Sequence, residues 1–244
     1  MKEWITGRNP VYECLRANRR QYFRLLAAKG IEQGGRITES FELAQSRKLT
    51  VEWVERRELD DLYENNQGVA LEVSAYPYMD LSDIFALAGR KQENLFLLLL
   101  DQIQDPQNFG TLIRSAELFG VNGIVIPSSR AVGVTPAVVN ASSGGTEHLF
   151  IAQGNLAQDI DQIKSRDAWV YGLDMGGKSR AISECDLKGN IAIVVGSEGF
   201  GLRRLVRDQC DIITHIPTRG KLDSLNASVA GSIALYTAHL QRHA

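Results

Sequence analysis

Apolar positions along this chain fall into two regimes. From residue 95 onward, continuous apolar runs stand at Leu95–Leu100, Gly123–Pro127, Trp169–Leu173, Ile191–Val195 and Ile212–Ile216. Between most of them apolar residues recur at helical spacing, at about Gly110–Phe119, Leu156–Ser165 and Leu202–Asp208. A last helix is predicted over about Ser224–Gln241. Strands that do not alternate are buried on both faces, and strands that alternate with helices build a parallel sheet covered on each side. The fold class predicted is therefore α/β.

Residues 1–75 read as a smaller alternating unit. Asn9-Pro10 starts a helix through about Asn18, with Pro at the first helical position. Strands are predicted at Tyr22–Ala28, Leu49–Val54 and Val69–Val73, and a helix at Thr38–Lys48 with Thr38 as a possible cap. The stretch "YPYMDLSDIFALAGRKQEN", residues 76–94, interrupts both regimes and reads as a linker with one short helix at Leu81–Ala88. The organisation predicted is a small unit over 1–75, a linker over 76–94 and a larger domain over 95–244.

Composition adds mainly exclusions. The formal net charge is −2, and residues 1–75 carry twelve Lys/Arg against twelve Asp/Glu, so no global field advertises a nucleic-acid partner; patches can still be local. No leader and no apolar run of membrane-spanning length is seen, so no membrane partner is expected. Cys14, Cys185 and Cys210 are scattered, with no CxxC, which argues against a metal site or disulfide framework and fits a reducing cytoplasm. His148 and His215 are isolated, and His239 and His243 sit in the last six residues. No G-x-G-x-x-G follows the first strand of either half, and neither a P-loop nor a G-x-S-x-G is present.

Ligands of open parallel sheets gather at the carboxyl ends of strands, and three such ends are chemically unusual here. The first run is followed by "DPQNFGTLIRSAELFG", residues 105–120. Asn108 can cap a helix starting near Phe109, which sets Arg114 about 9 Å along it, at the rim of the apolar stripe. Arg114 either pairs with Glu117, worth a few tenths of a kcal/mol (about 0.2–0.5), or faces a ligand. The fourth run ends in "GSEGFG", residues 196–201, followed by Arg203, Arg204 and Arg207. That segment is either a tight turn with Glu198 near a helix N-terminus, or a cofactor turn flanked by phosphate-binding arginines. The fifth ends in "IPTRGKLDSLNASVAGSIALY", residues 216–236, where Ser224 or Asn226 can cap the final helix. Its small residues from Ala227 to Ala234 allow close packing, and Gly231 costs about 1 kcal/mol of helix propensity.

Together these stretches resemble the three motifs of the SpoU family of RNA ribose methyltransferases, in the SPOUT class. "DPQNFGTLIRSAELFG", "IVVGSEGFGL" and "IPTRGKLDSLNASVAGSIALY" match them in the family's order, and "ASSGGTEHL", residues 141–149, resembles a cofactor-side loop. Residues 1–75, with "ITGRNPVYECL" and "NNQGVALEVSAY", are similar to the small RNA-binding domain of members that methylate a guanosine of 23S rRNA; many of those have His where this chain has Asn66. The resemblance implies an S-adenosyl-L-methionine-dependent RNA 2′-O-methyltransferase with a deep trefoil knot, acting as a homodimer. It implies Asn108, Arg114, Glu198, Ser224 and Asn226 as the catalytic set. It also implies cofactor contacts from Leu173, Gly196, Ile216 and Leu225, with Ser142 and Gly144 lining the same cavity. A tRNA substrate and an antibiotic-resistance rRNA methyltransferase remain as alternatives within the class. A non-catalytic RNA-binding ribosome-assembly factor is the alternative outside it.

Overall fold

The computed structural model describes residues 2–176, 178–222 and 224–244. Asp223, within the third motif, lies outside the described residues. The chain divides into two compact units, Met1–Pro77 with Val134–His148, and Tyr78–Gly133 with Leu149–Ala244.

The first unit contains β1 (Lys2–Thr6), α1 (Arg8–Ala17), β2 (Tyr22–Ala28), α2 (Arg36–Ser46), β3 (Val51–Val54), α3 (Arg56–Asp60) and β4 (Val69–Ser74). Its sheet has the order β1-β4-β2-β3, antiparallel except for the β2–β3 pair. Thr38 lies inside α2, whose N-cap is Gly35. β1 and α3 carry too few periodic positions to be read from sequence. Asn66 is fully buried and holds the loop before β4. Its amide donates to Asp60 Oδ1 at 2.7 Å and to the Tyr63 carbonyl at 2.8 Å, and accepts from Gly68 N at 2.7 Å.

The second unit contains α4 (Leu81–Lys91), β5 (Phe96–Asp101), α5 (Pro106–Leu118) and β6 (Gly123–Pro127). The chain then contributes α6 (Pro136–Ala141) to the first unit and returns as β7 (Ile151–Gly154) and α7 (Leu156–Lys164). β8 (Trp169–Leu173), β9 (Arg180–Ala181), β10 (Ile191–Gly196), α8 (Arg204–Gln209), β11 (Ile212–His215) and α9 (Ala227–Arg242) complete it. The seven-stranded sheet runs β7-β6-β5-β10-β8-β11-β9, with parallel pairings throughout. One face buries Leu97, Leu99, Val125, Val170, Ala192 and Val194 under α4, α7 and α8. On the other, α9 lies against β10 and α5 against α9.

Two boundaries differ from those read in the sequence. Residues 76–94 are not a free linker, because α4 seals Leu81, Ile84 and Ala88 into the core of the second unit. Residues 134–148 lie within 95–244 in sequence but group by contact with the first unit. They pack on the first unit, where the Arg20 fork donates to Glu147, from Nε to Oε2 at 3.0 Å and from Nη2 to Oε1 at 2.7 Å. Both side chains are wholly buried, and Glu3 also accepts from Arg20 at 3.0 Å. Arg20 is thus an internal ion-pair partner, not a surface group available to phosphate. His148 is not isolated either, since its Nε2 lies 2.6 Å from Glu13 Oε2.

Candidate active site

The sheet order reverses between β5 and β10, because the chain moves outward from β5 through β6 to β7 and then fills the other side. Open parallel sheets bind ligands at such a point, beyond the strand ends. Gly196 and Asp101 are paired there as the last residues of β10 and β5.

Asp101 is wholly buried and fixes the chain beyond β10. Its carboxylate accepts from Arg203 N at 2.8 Å and from Arg203 Nε at 2.6 Å. Asp174, just after β8, accepts from Arg207 Nη1 at 2.5 Å, and the Gly176 carbonyl accepts from Nη2 at 3.3 Å. Two of the three arginines offered for phosphate are therefore committed to bracing the site. Arg204 stays 96% exposed, with Asp208 at 3.6 Å.

α5 begins at Pro106, not near Phe109, and its cap is Asp105, whose carboxylate accepts from Gln107 N at 3.3 Å and Asn108 N at 3.1 Å. Asn108 is released from capping, and its buried side chain turns to the site. Its Nδ2 donates to Glu198 Oε1 at 3.0 Å. Asn226, not Ser224, caps α9: its Oδ1 accepts from Ser228 N at 2.9 Å, Val229 N at 3.2 Å and Ser228 Oγ at 2.7 Å. The other end of that amide donates to Asn108 Oδ1 at 3.1 Å and to Glu198 Oε1. One carboxylate oxygen thus receives two amide donors, each standing at a helix N-terminus, where the helix field favours negative charge. Residues far apart in sequence meet in a cluster with one consistent set of donor and acceptor directions.

Beside this cluster lies a cavity of about 460 Å³, in the size range of small-molecule sites. Leu173, Gly196, Ile216, Leu225, Ser224 and Glu198 all line it. Its walls mix apolar side chains with the carboxylates of Asp174 and Glu198, and His215 lines it as well, Nδ1 lying 2.9 Å from Ser179 Oγ. Ser142 and Gly144 belong to the first unit. Ser142 is buried in the first unit with Oγ on the Val139 carbonyl at 3.0 Å, and a Cβ on Gly144 would lie 2.7 Å from Glu13 Cβ. Arg114 stands six residues beyond Asn108 on α5, with its side chain exposed. No group of His, Cys, Asp or Glu suited to a metal ion gathers among the described residues.

Sequence reasoning missed the bracing roles of Asp101, Asp105 and Asp174. Pro106 was the available clue to Asp105, because Pro at the first helical position places the cap one residue earlier. Nothing local marks Asp101 or Asp174, whose partners lie 102 and 33 residues away.

The SpoU rRNA Methylase family profile matches residues 95–236, and a profile described as RNA 2'-O ribose methyltransferase substrate binding matches residues 4–79. The putative TrmH family tRNA/rRNA methyltransferase YacO of Bacillus subtilis is 38% identical over 245 residues, covering 99% of this chain and 96% of that protein. The 23S rRNA (guanosine-2'-O-)-methyltransferase RlmB of Coxiella burnetii is 39% identical over 211 residues, covering 86% of this chain and 84% of its own. The crystal structure of the SpoU methyltransferase AviRb from Streptomyces viridochromogenes, in complex with AdoMet, shares the fold with a TM-score of 0.81 at 23% identity, over 98% of this chain and 90% of that one. With a profile over more than half its length and a relative matched nearly end to end, this chain belongs to the SpoU rRNA methylase family of RNA methyltransferases.

Proposed function

We propose that this protein transfers a methyl group from S-adenosylmethionine to a ribose 2′-hydroxyl of RNA, at a guanosine of 23S rRNA. The observation that carries the reading is the Asn108–Glu198–Asn226 cluster beside a cavity lined by Leu173, Gly196, Ile216 and Leu225. The fit to the cofactor rests on that cavity, which offers nucleoside-scale space, apolar walls for a base and the Glu198 carboxylate at its edge, Asp174 being paired with Arg207. S-adenosylmethionine, when bound there, supplies an electrophilic methyl on a sulfonium.

In this reading Leu173, Gly196, Ile216 and Leu225 hold the cofactor through backbone groups, and Ser224 closes the rim. Asn108 and Asn226 fix the Glu198 carboxylate, whose second oxygen is directed to the substrate. A ribose hydroxyl is a poor nucleophile until its proton begins to leave. A guanidinium keeps its own proton under nearly all conditions. Arg114 therefore positions the ribose-phosphate and stabilises the developing alkoxide, while the hydroxyl proton passes by way of the open Glu198 oxygen to solvent.

The protein acts as a homodimer in this reading, with Arg114 completing the partner's site. Val229, Ile233, Tyr236 and Leu240 support it: they recur at helical spacing along α9 as an exposed apolar stripe, and Leu118 of α5 is exposed too. A deep trefoil knot belongs to the same reading. It is supported by the small residues of α9, where Gly231 lets the C-terminal segment press against β10 and α5. A cytoplasmic site is consistent with three free cysteines and with the absence, among the described residues, of a helix able to cross a membrane.

Mapping 2′-O-methylation across ribosomal and transfer RNA, with and without the protein, tests the proposal. One protein-dependent guanosine in 23S rRNA is the expected result. Methylation confined to tRNA would move the substrate, and S-adenosylmethionine binding without transfer to any RNA would leave only a binding factor.

A further inference from the structure

The turn between β10 and α8 carries a side chain that neither packing nor the cluster uses. Phe200 is 94% exposed, more than any other large apolar residue among those described, yet it borders the cavity. Its base is rigid. Ser197 and Gly201 exchange both backbone hydrogen bonds, at 3.1 and 3.0 Å. Gly199 and Gly201 take φ values of +78° and +66°, which favour glycine. A Cβ on Gly196 would lie 2.3 Å from the Gly201 carbonyl carbon, so the turn is folded tightly onto the strand end. Asp101 pins the chain just beyond, through Arg203.

This geometry accounts for the glycines but not for the phenylalanine between them. A polar residue at position 200 would complete the same turn without leaving a ring in water. The same rim exposes Met175 and Leu225, at 49% and 37%. Two residues before Phe200 stands Glu198, held by Asn108 and Asn226.

We propose that Phe200 is a stacking platform for a nucleobase of the RNA substrate, holding the target nucleotide out of its own stack beside Glu198. The inference rests on the methyltransferase reading above. Splayed bases of single-stranded RNA stack on aromatic side chains, and they do so with little sequence preference. A ring that gripped the cofactor's adenine would be largely shielded within the cavity wall. Phe200 instead offers nearly its whole surface to solvent, where a polymer arrives.

The test compares Phe200→Ala, Phe200→Leu and Phe200→Tyr in three measurements: filter binding to transcribed 23S rRNA, methyl-transfer kinetics on it, and calorimetric titration with S-adenosylmethionine alone. Loss of one base stack corresponds to a factor of about 5 to about 150. Alanine and leucine are expected to raise the Kd and KM for RNA by that factor, tyrosine to restore both, and cofactor affinity to stay unchanged. Leucine matching phenylalanine would overturn the stacking role, as would weakened cofactor binding with RNA binding intact. Wild-type activity with all variants unaffected overturns this inference alone. A wild-type protein that methylates no RNA overturns the functional reading and this inference with it.

Discussion

Asp105 and Asn108 show how one residue's commitment frees another. Both can cap a helix, but Asp105 satisfies the first N–H groups of α5, which leaves the Asn108 amide to reach Glu198. Asp159 on α7 is a contrasting case. It is buried, its Oδ2 finds no hydrogen-bond partner, and burial raises its pKa above the ordinary Asp value. A folded-state value above the unfolded one means that the stability it lends is present below the unfolded pKa, about 3.9, and is lost as pH rises through the folded value. Asp159→Asn removes that titration. The variant's thermal midpoint is therefore expected to gain on wild type as pH rises from about 4; a pH-independent difference would show that the carboxylate is not penalised in the fold. The identities of Glu198, Asn108 and Asn226 as candidates were legible through a family resemblance. Their hydrogen-bond directions were not, because direction depends on which group each amide's other end already serves.

At the scale of elements, α9 explains its own composition. Gly231 weakens the helix intrinsically, yet a Cβ there would lie 2.4 Å from Leu112 Cδ2 and 3.1 Å from Val195 Cγ2. The neighbouring Ser232 hydroxyl meets Ser115 of α5 at 2.7 Å. Overpacking of this kind costs about 1–3 kcal/mol, against a propensity gain of about 1 kcal/mol. Gly231→Ala is expected to lower the urea midpoint, and Leu112→Val in the same chain to recover part of the loss. A stabilised single variant would show that the contact yields freely. The strands of the large sheet could be read directly, since β6 and β8 fall on the apolar runs with no shift. β7 and α6 escaped notice because each is short, at four and six residues, and is defined by partners distant in sequence.

For the whole molecule, the exposed stripe on α9 bears on assembly. If the homodimer reading holds, Ile233→Glu sets a charge in the middle of that stripe. Sedimentation of the wild-type protein is expected near twice 27.0 kDa, and of the variant near 27.0 kDa with methyl transfer greatly reduced. A wild-type monomer with full activity would refute both the dimer and a site completed by the partner's Arg114. The two-unit organisation was legible from the change in apolar pattern, but the packing of residues 134–148 with the first unit was not. A contiguous segment that leaves one unit to pack on another carries no mark in its own periodicity.

The detour of residues 134–148 ties the inheritance of the two halves together. A gene cut after residue 79 would encode every strand of the smaller sheet, yet it would strip Arg20 of Glu147 and open that cation to water, with Glu3 and the Ser74 carbonyl left beside it. The cut also removes Val138 and Val139, both buried in α6, so the fragment loses apolar burial along with its internal ion pair. A single crossover near residue 79 would therefore part the smaller sheet from the excursion between β6 and β7 that packs with it.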